Sequence, residues 1–66
     1  MTTGERIKQS RLEKGLSQKE LATVIDVKQN TISQWETGKN AVPIEMLTKL
    51  AIALSCDPNY LLGFGE

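Results

Sequence analysis

The chain has no histidine and one cysteine, Cys56, and its 66 residues carry 8 acidic and 8 basic side chains. Without histidine it cannot build a His-based catalytic triad or a Cys/His zinc site, and one thiol cannot close an internal disulfide. A lone cysteine fits a reducing compartment. Apolar runs are short: the longest, Leu50 to Leu54, falls far below the roughly 20 residues of a membrane span, and the N-terminus lacks the apolar core of a signal peptide. A cytoplasmic protein follows, with no membrane, metal, cofactor or small-molecule ligand called for. A domain this small buries only about 60% of the surface its unfolded chain exposes. Little chain is left for a catalytic cleft, so an enzyme is disfavoured. The absence of net charge argues against a partner held by bulk electrostatics alone.

What is present is helical spacing. Apolar residues recur at three and four positions and nowhere alternate over a strand's length. Five short helices account for the pattern, with no repeat or linker, so residues 1–66 read as one all-α domain. The first runs from about Thr3 to Lys14, opened by Thr2 or Thr3 with Glu5 completing a capping box and stopped by Gly15. Its apolar stripe is thin, chiefly Ile7. The second opens on Ser17-Gln18-Lys19-Glu20, a full capping box, buries Leu21, Ala22 and Ile25, and ends at an Asp26-Val27 turn. The third spans about Gln29 to Thr37 and stops at Gly38. A fourth follows Pro43 with Ile44, Leu47, Leu50, Ala51 and Leu54 on its stripe, and Asp57-Pro58 opens a short fifth from Asn59 to Leu62.

The second and third helices are separated by about three residues, which suits the roughly perpendicular helix-turn-helix unit, here about residues 17–37. In that unit the second helix projects and can enter a DNA major groove. On a helical wheel Thr31, Ile32 and Trp35 share one arc of about 100°, and Gln29, Asn30, Ser33, Gln34 and Thr37 share an opposite arc of about 140°. The outer face carries no full charge. A solvated face more often carries Lys and Glu, which favour helix and form salt-bridge pairs. A Gln or Asn amide matches the paired acceptor and donor of adenine, worth roughly 1–3 kcal/mol of discrimination. Protein interfaces instead enrich aromatics, Met and Arg.

At this point the sequence resembles the lambda-repressor-like helix-turn-helix proteins, the Cro/C1 or xenobiotic-response-element class. The likeness is nearest to the DNA-binding domains of lambdoid phage repressors. It is carried by Gly4-Glu5-Arg6-Ile7, by Gly15-Leu16-Ser17-Gln18-Lys19-Glu20-Leu21-Ala22, by Thr31 through Lys39, and by Tyr60-Leu61-Leu62-Gly63. The resemblance implies a compact five-helix domain that binds a palindromic operator as a dimer and represses transcription. Position by position, it implies base-edge contacts from Gln29, Asn30 and Gln34, with Ser33 and Lys28 flanking them. Gln18 matches a residue that bonds a phosphate and can brace Gln29. Thr37, Gly38 and Lys39 match a loop that clamps the DNA backbone. Arg11 and Glu36 match a salt bridge that holds the arginine near a phosphate. Asp26 stands where a turn glycine is common, Lys28 where a capping Ser or Thr is usual, and Ser10 where a core Leu is usual.

Pro58, Leu61 and Phe64 are candidates for a small self-association patch. The competing reading is a protein-interaction module of the same fold, antitoxin-like or coactivator-like, which the neutral charge favours slightly. Charge is nevertheless uneven along the chain. Residues 1–39 hold 7 basic and 5 acidic side chains, and residues 40–66 hold 1 and 3. The positive half contains the whole helix-turn-helix.

Overall fold

A computed structural model describes residues 1–63, so Phe64, one member of the expected self-association patch, lies outside the described residues. The helices are α1 (Thr3–Glu13), α2 (Gln18–Ile25), α3 (Gln29–Thr37), α4 (Ile44–Leu54) and α5 (Pro58–Leu62). Among the described residues there is no strand, and no helix is long and apolar enough to cross a membrane.

The boundaries follow local chemistry. Thr2 and Ser17 cap α1 and α2 through complete capping boxes. Their hydroxyls accept from the Glu5 and Glu20 backbone N–H groups at 3.1 and 3.0 Å, and those carboxylates accept from the Thr2 and Ser17 N–H groups at 2.7 and 2.8 Å. These bonds, backbone first, lower both carboxyl pKa values below the ordinary range. Asp57 caps α5 by accepting from the Asn59 N–H, with Pro58 in the first turn. After α2, Asp26 adopts a left-handed φ of 61°, and Val27 N–H reaches back to the Ala22 carbonyl at 2.9 Å, closing the turn that reverses the chain into α3. Asp tolerates that conformation better than most residues, so the turn forms without the usual glycine.

Each helix contributes one fully buried large side chain: Ile7, Leu21, Ile32, Leu50 and Leu61. Around them pack Ala22, Ile25, Trp35, Leu47, Ala51 and Leu54. Two sequence expectations are corrected here. Leu61 is fully buried and therefore takes no part in a surface patch, because α5 needs its one inward leucine to dock on the core. Ile44 continues the stripe of α4 in register yet, as the first residue of the helix, is 80% exposed, and the buried stripe begins only at Leu47. Val42 and Met46 pack at the core edge instead.

α1 is anchored by polar groups as much as apolar ones, with Gly4, Arg6, Ser10 and Arg11 buried beside Ile7. The Arg6 guanidinium donates to the Met1 carbonyl at 2.9 Å and lies 5.7 Å from the centre of the Tyr60 ring, tying α1 to α5. At Gly4 the helix meets the backbone of α3, and a β-carbon there would collide with the Trp35 carbonyl oxygen and crowd that of Glu36.

Gly4→Ala is therefore expected to pry α1 from α3, costing about 1–3 kcal/mol and lowering Tm by roughly 5–15 °C in a thermal melt. Acid has its own effect. Because Glu5 and Glu20 have lowered pKa values in the fold, their stabilisation is fully present at neutral pH and is lost as pH falls from the ordinary carboxylate range through the folded values. Helicity followed by circular dichroism should decline in that acid window, and Glu5→Gln with Glu20→Gln should flatten the decline.

Candidate nucleic-acid interface

One carboxylate gathers three helices. Glu36, on the inner side of α3, accepts from Arg11 Nε at 2.7 Å through Oε2 and from Arg11 Nη2 at 3.1 Å through Oε1. Both side chains are buried, 7% and 3% exposed. The same Oε1 accepts from Gln18 Nε2, at the start of α2, at 3.1 Å. Arg11 Nη1 donates to the Leu16 carbonyl at 2.9 Å, which fastens the approach to α2. A planar guanidinium matches a carboxylate bidentately, and such a pair tolerates burial only when its remaining hydrogen-bonding groups are also engaged.

Gln18 turns inward to brace Glu36, and its pairing partner in the structure is that carboxylate. Three of Arg11's nitrogens serve Glu36 and Leu16, and the side chain is largely withdrawn from solvent.

The outer side of α3 is open. Lys28, Gln29 and Asn30 are exposed at its start, and Ser33 and Gln34 are half-buried further along. Lys28 occupies the N-cap position without a side-chain cap, so α3 starts without the side-chain acceptor that Thr2 and Ser17 give α1 and α2. At the other end Thr37 Oγ1 donates to the Ser33 carbonyl at 3.0 Å, spending its hydroxyl proton within the helix. Gly38 terminates α3 with a φ of 81° and, with Lys39, is exposed. The structure thus brings Lys28, Gln29, Asn30, Ser33 and Gln34 onto one face, with Thr37, Gly38 and Lys39 at its end.

Sequence reasoning missed Asn40. Its side-chain Nδ2 donates to Gln34 Oε1 at 2.7 Å, and its backbone N–H donates to the Gln34 carbonyl at 3.2 Å. The only sequence signal was an amide residue just past the helix-stopping glycine. The buried Arg6 was likewise unforeseen.

Other surface features lie elsewhere. An open groove of about 720 Å³ runs between α1 and the α4–α5 junction, where Ser10 leaves space beside Leu54, Cys56 and Tyr60. Burial raises the Cys56 thiol pKa, with the Asp57 charge adding to the effect, so the thiol stays protonated at neutral pH. Among the described residues no group of acidic or cysteine side chains is arranged to hold a metal.

Residues 7–61 match the model of a protein family described as helix-turn-helix. The chain is 39% identical over 59 residues to repressor protein C2 of Salmonella phage P22, covering 89% of this chain and 27% of that one. It is 44% identical over 54 residues to multiprotein-bridging factor 1 of Debaryomyces hansenii, covering 82% of this chain and 36% of that one. The chain thus spans about a third, or less, of the length of these curated relatives. The crystal structure of the P22 c2 repressor protein in complex with a synthetic operator superposes with a TM-score of 0.90 at 36% identity, covering 100% of this chain and 98% of that one.

The buried pair has a measurable signature. Glu36→Leu strands the Arg11 charge and is expected to cost about 3–5 kcal/mol in chemical denaturation, whereas Arg11→Met combined with Glu36→Leu should recover most of that loss.

Proposed function

The chain belongs to the helix-turn-helix family of the Cro/C1 type, and from that premise we propose that it binds a palindromic operator in double-stranded DNA as a homodimer and regulates transcription as a phage- or prophage-type repressor. The observation that carries the reading is the outer face of α3, lined by amides and free of acidic groups, on a helix whose single carboxylate, Glu36, is turned inward and neutralised by Arg11. A major groove accepts an α-helix and presents donors and acceptors that Gln29 and Asn30 match without help from charge. Lys28 and Ser33 flank these amides. Lys39 and the backbone at Thr37 and Gly38 follow the face at the end of α3 and suit the DNA backbone. That the P22 c2 repressor was crystallised with operator DNA supports the same use of the same fold.

In this role Arg11 and Gln18 hold α3 in place through Glu36, and both are proposed to meet the phosphates beside it. The dimer sets two recognition helices about 34 Å apart along one face of the duplex. Of the residues expected to build its seam, Pro58 is exposed and available. The protein acts in the cytoplasm of a bacterial host.

A second reading, a module that docks on proteins, is favoured by one observation. Val24 and Ile52 are 61% and 76% exposed and flank a depression of about 310 Å³ bordered by Asp26 and Lys49. The 44% identity to a protein named as a multiprotein-bridging factor points the same way.

Selection from a random duplex library at physiological salt separates the two. The repressor reading expects an enriched palindrome with half-sites one helical turn apart, and recovery of no enriched sequence would refute it in favour of the second. Against the enriched duplex, Gln29→Ala should cost about 1–3 kcal/mol and relax preference at one base pair, while Lys39→Ala should weaken cognate and random duplexes alike and reduce the salt slope by about 1.

A further inference from the structure

A glutamine amide offers a base two opposite ends, an oxygen that accepts and an NH₂ that donates, and a free side chain turns either end outward by rotating its last torsion. Gln34 is not free in this sense. Its Oε1 is taken by Asn40 Nδ2 at 2.7 Å, and the Asn40 backbone N–H is bound to the Gln34 carbonyl at 3.2 Å. Asn40 therefore grips Gln34 at two points, from the loop that begins where Gly38 ends α3. The grip points the amide oxygen at the loop and leaves the NH₂ as the end available to a partner.

This polarity matters because every base pair shows the major groove one keto base and one amino base. Guanine and thymine present O6 and O4, which accept, whereas adenine and cytosine present N6 and N4 amines, which donate. An outward NH₂ pairs with a keto oxygen or a purine N7, whereas cytosine, which shows only its N4 amine, meets it donor to donor. The bidentate adenine pairing open to an unrestrained glutamine needs the oxygen as well.

We infer that Asn40 is a positioning residue for specificity: by holding the Gln34 oxygen it makes Gln34 a hydrogen-bond donor that rejects cytosine on the strand it faces and forgoes the bidentate pairing with adenine. This rests on the DNA-binding reading above and goes beyond it, since it assigns a base chemistry to one position and a cause to a residue outside the recognition helix. Asn40 is exposed and lies in a loop, so its side chain can be changed without disturbing the core.

The test uses the duplex enriched by the unaltered chain. Gln34→Ala first identifies the base pair that Gln34 reads, as the position whose preference disappears. At that pair the unaltered chain should favour guanine over cytosine on the facing strand by roughly tenfold, since cytosine leaves the NH₂ donor to donor. Asn40→Ala releases the amide and should reduce the ratio towards unity, with the melting temperature unchanged. Asn40→Asp is the sharper variant, because a carboxylate only accepts: it draws the Gln34 NH₂ to itself and turns the oxygen outward. It should invert the preference at that one pair from guanine towards cytosine, while its added charge weakens binding to all duplexes equally. A purely structural role for Asn40 would lower affinity without inverting anything. An unaltered chain that favours cytosine at that pair, or an Asn40→Asp variant with the original preference, would overturn the inference and leave the DNA-binding reading standing. Failure of the unaltered chain to enrich any duplex would overturn both.

Discussion

The structure depends on a buried ion pair. Glu36 is buried on the inner side of α3, and its carboxylate collects Arg11 from α1 and Gln18 from α2. Burying a carboxylate is costly unless its charge and lone pairs are met, and here three hydrogen bonds meet them. The arrangement explains why α1 has so thin an apolar stripe. Its inward face carries Arg6, Ser10 and Arg11 beside a single isoleucine, and polar bonds with defined directions replace part of the hydrophobic packing. Directional bonds also specify a pose. Gly4 seats α1 against the backbone of α3, Arg11 fixes the distance to Glu36, and the α2–α3 pair is held at its open end by Gln18.

The pose decides what α3 shows to solvent. With Glu36 consumed internally, the outer face of α3 keeps amides and the hydroxyls of Ser33 and Thr37, and no acidic group there opposes a phosphate. A chain with no net charge thereby acquires a surface suited to nucleic acid. On the proposed reading, its affinity for a duplex would rest less on counterion release than that of a strongly basic protein, and more on matched hydrogen bonds and the joining of two copies. The charge distribution agrees: the residues up to Lys39 carry a small positive excess that the acidic remainder conceals in the total.

Much of this was legible in the sequence, for identifiable reasons. Capping boxes, Gly15 and Gly38, and Asp57-Pro58 set the helix ends through local bonds, and local bonds are written in adjacent residues. The core leucines of α4 follow from spacing, and the Arg11–Glu36 pair came from resemblance to repressors. What escaped depends on surroundings that the period of a helix does not encode. Periodicity names a face but not where the neighbouring surface ends, so Ile44 stayed exposed and Leu61 went inside. Gln18 turned to Glu36 because a buried carboxylate had a lone pair to offer, and Asn40 reached Gln34 across the end of a helix. Polar partners distant in sequence become visible only when the fold brings them together.

The central claim is that the amide face of α3, held by the Arg11–Glu36 pair, is the surface that meets DNA. Nuclear magnetic resonance of the ¹⁵N-labelled chain, titrated with the duplex it enriches, addresses this residue by residue. The account predicts the largest backbone shift changes from Lys28 to Asn40, with the side-chain amides of Gln29, Asn30 and Gln34 strongly displaced and the exposed face of Val24 and Ile52 unchanged. Changes centred on Val24 and Ile52, with the α3 amides unmoved, would contradict it.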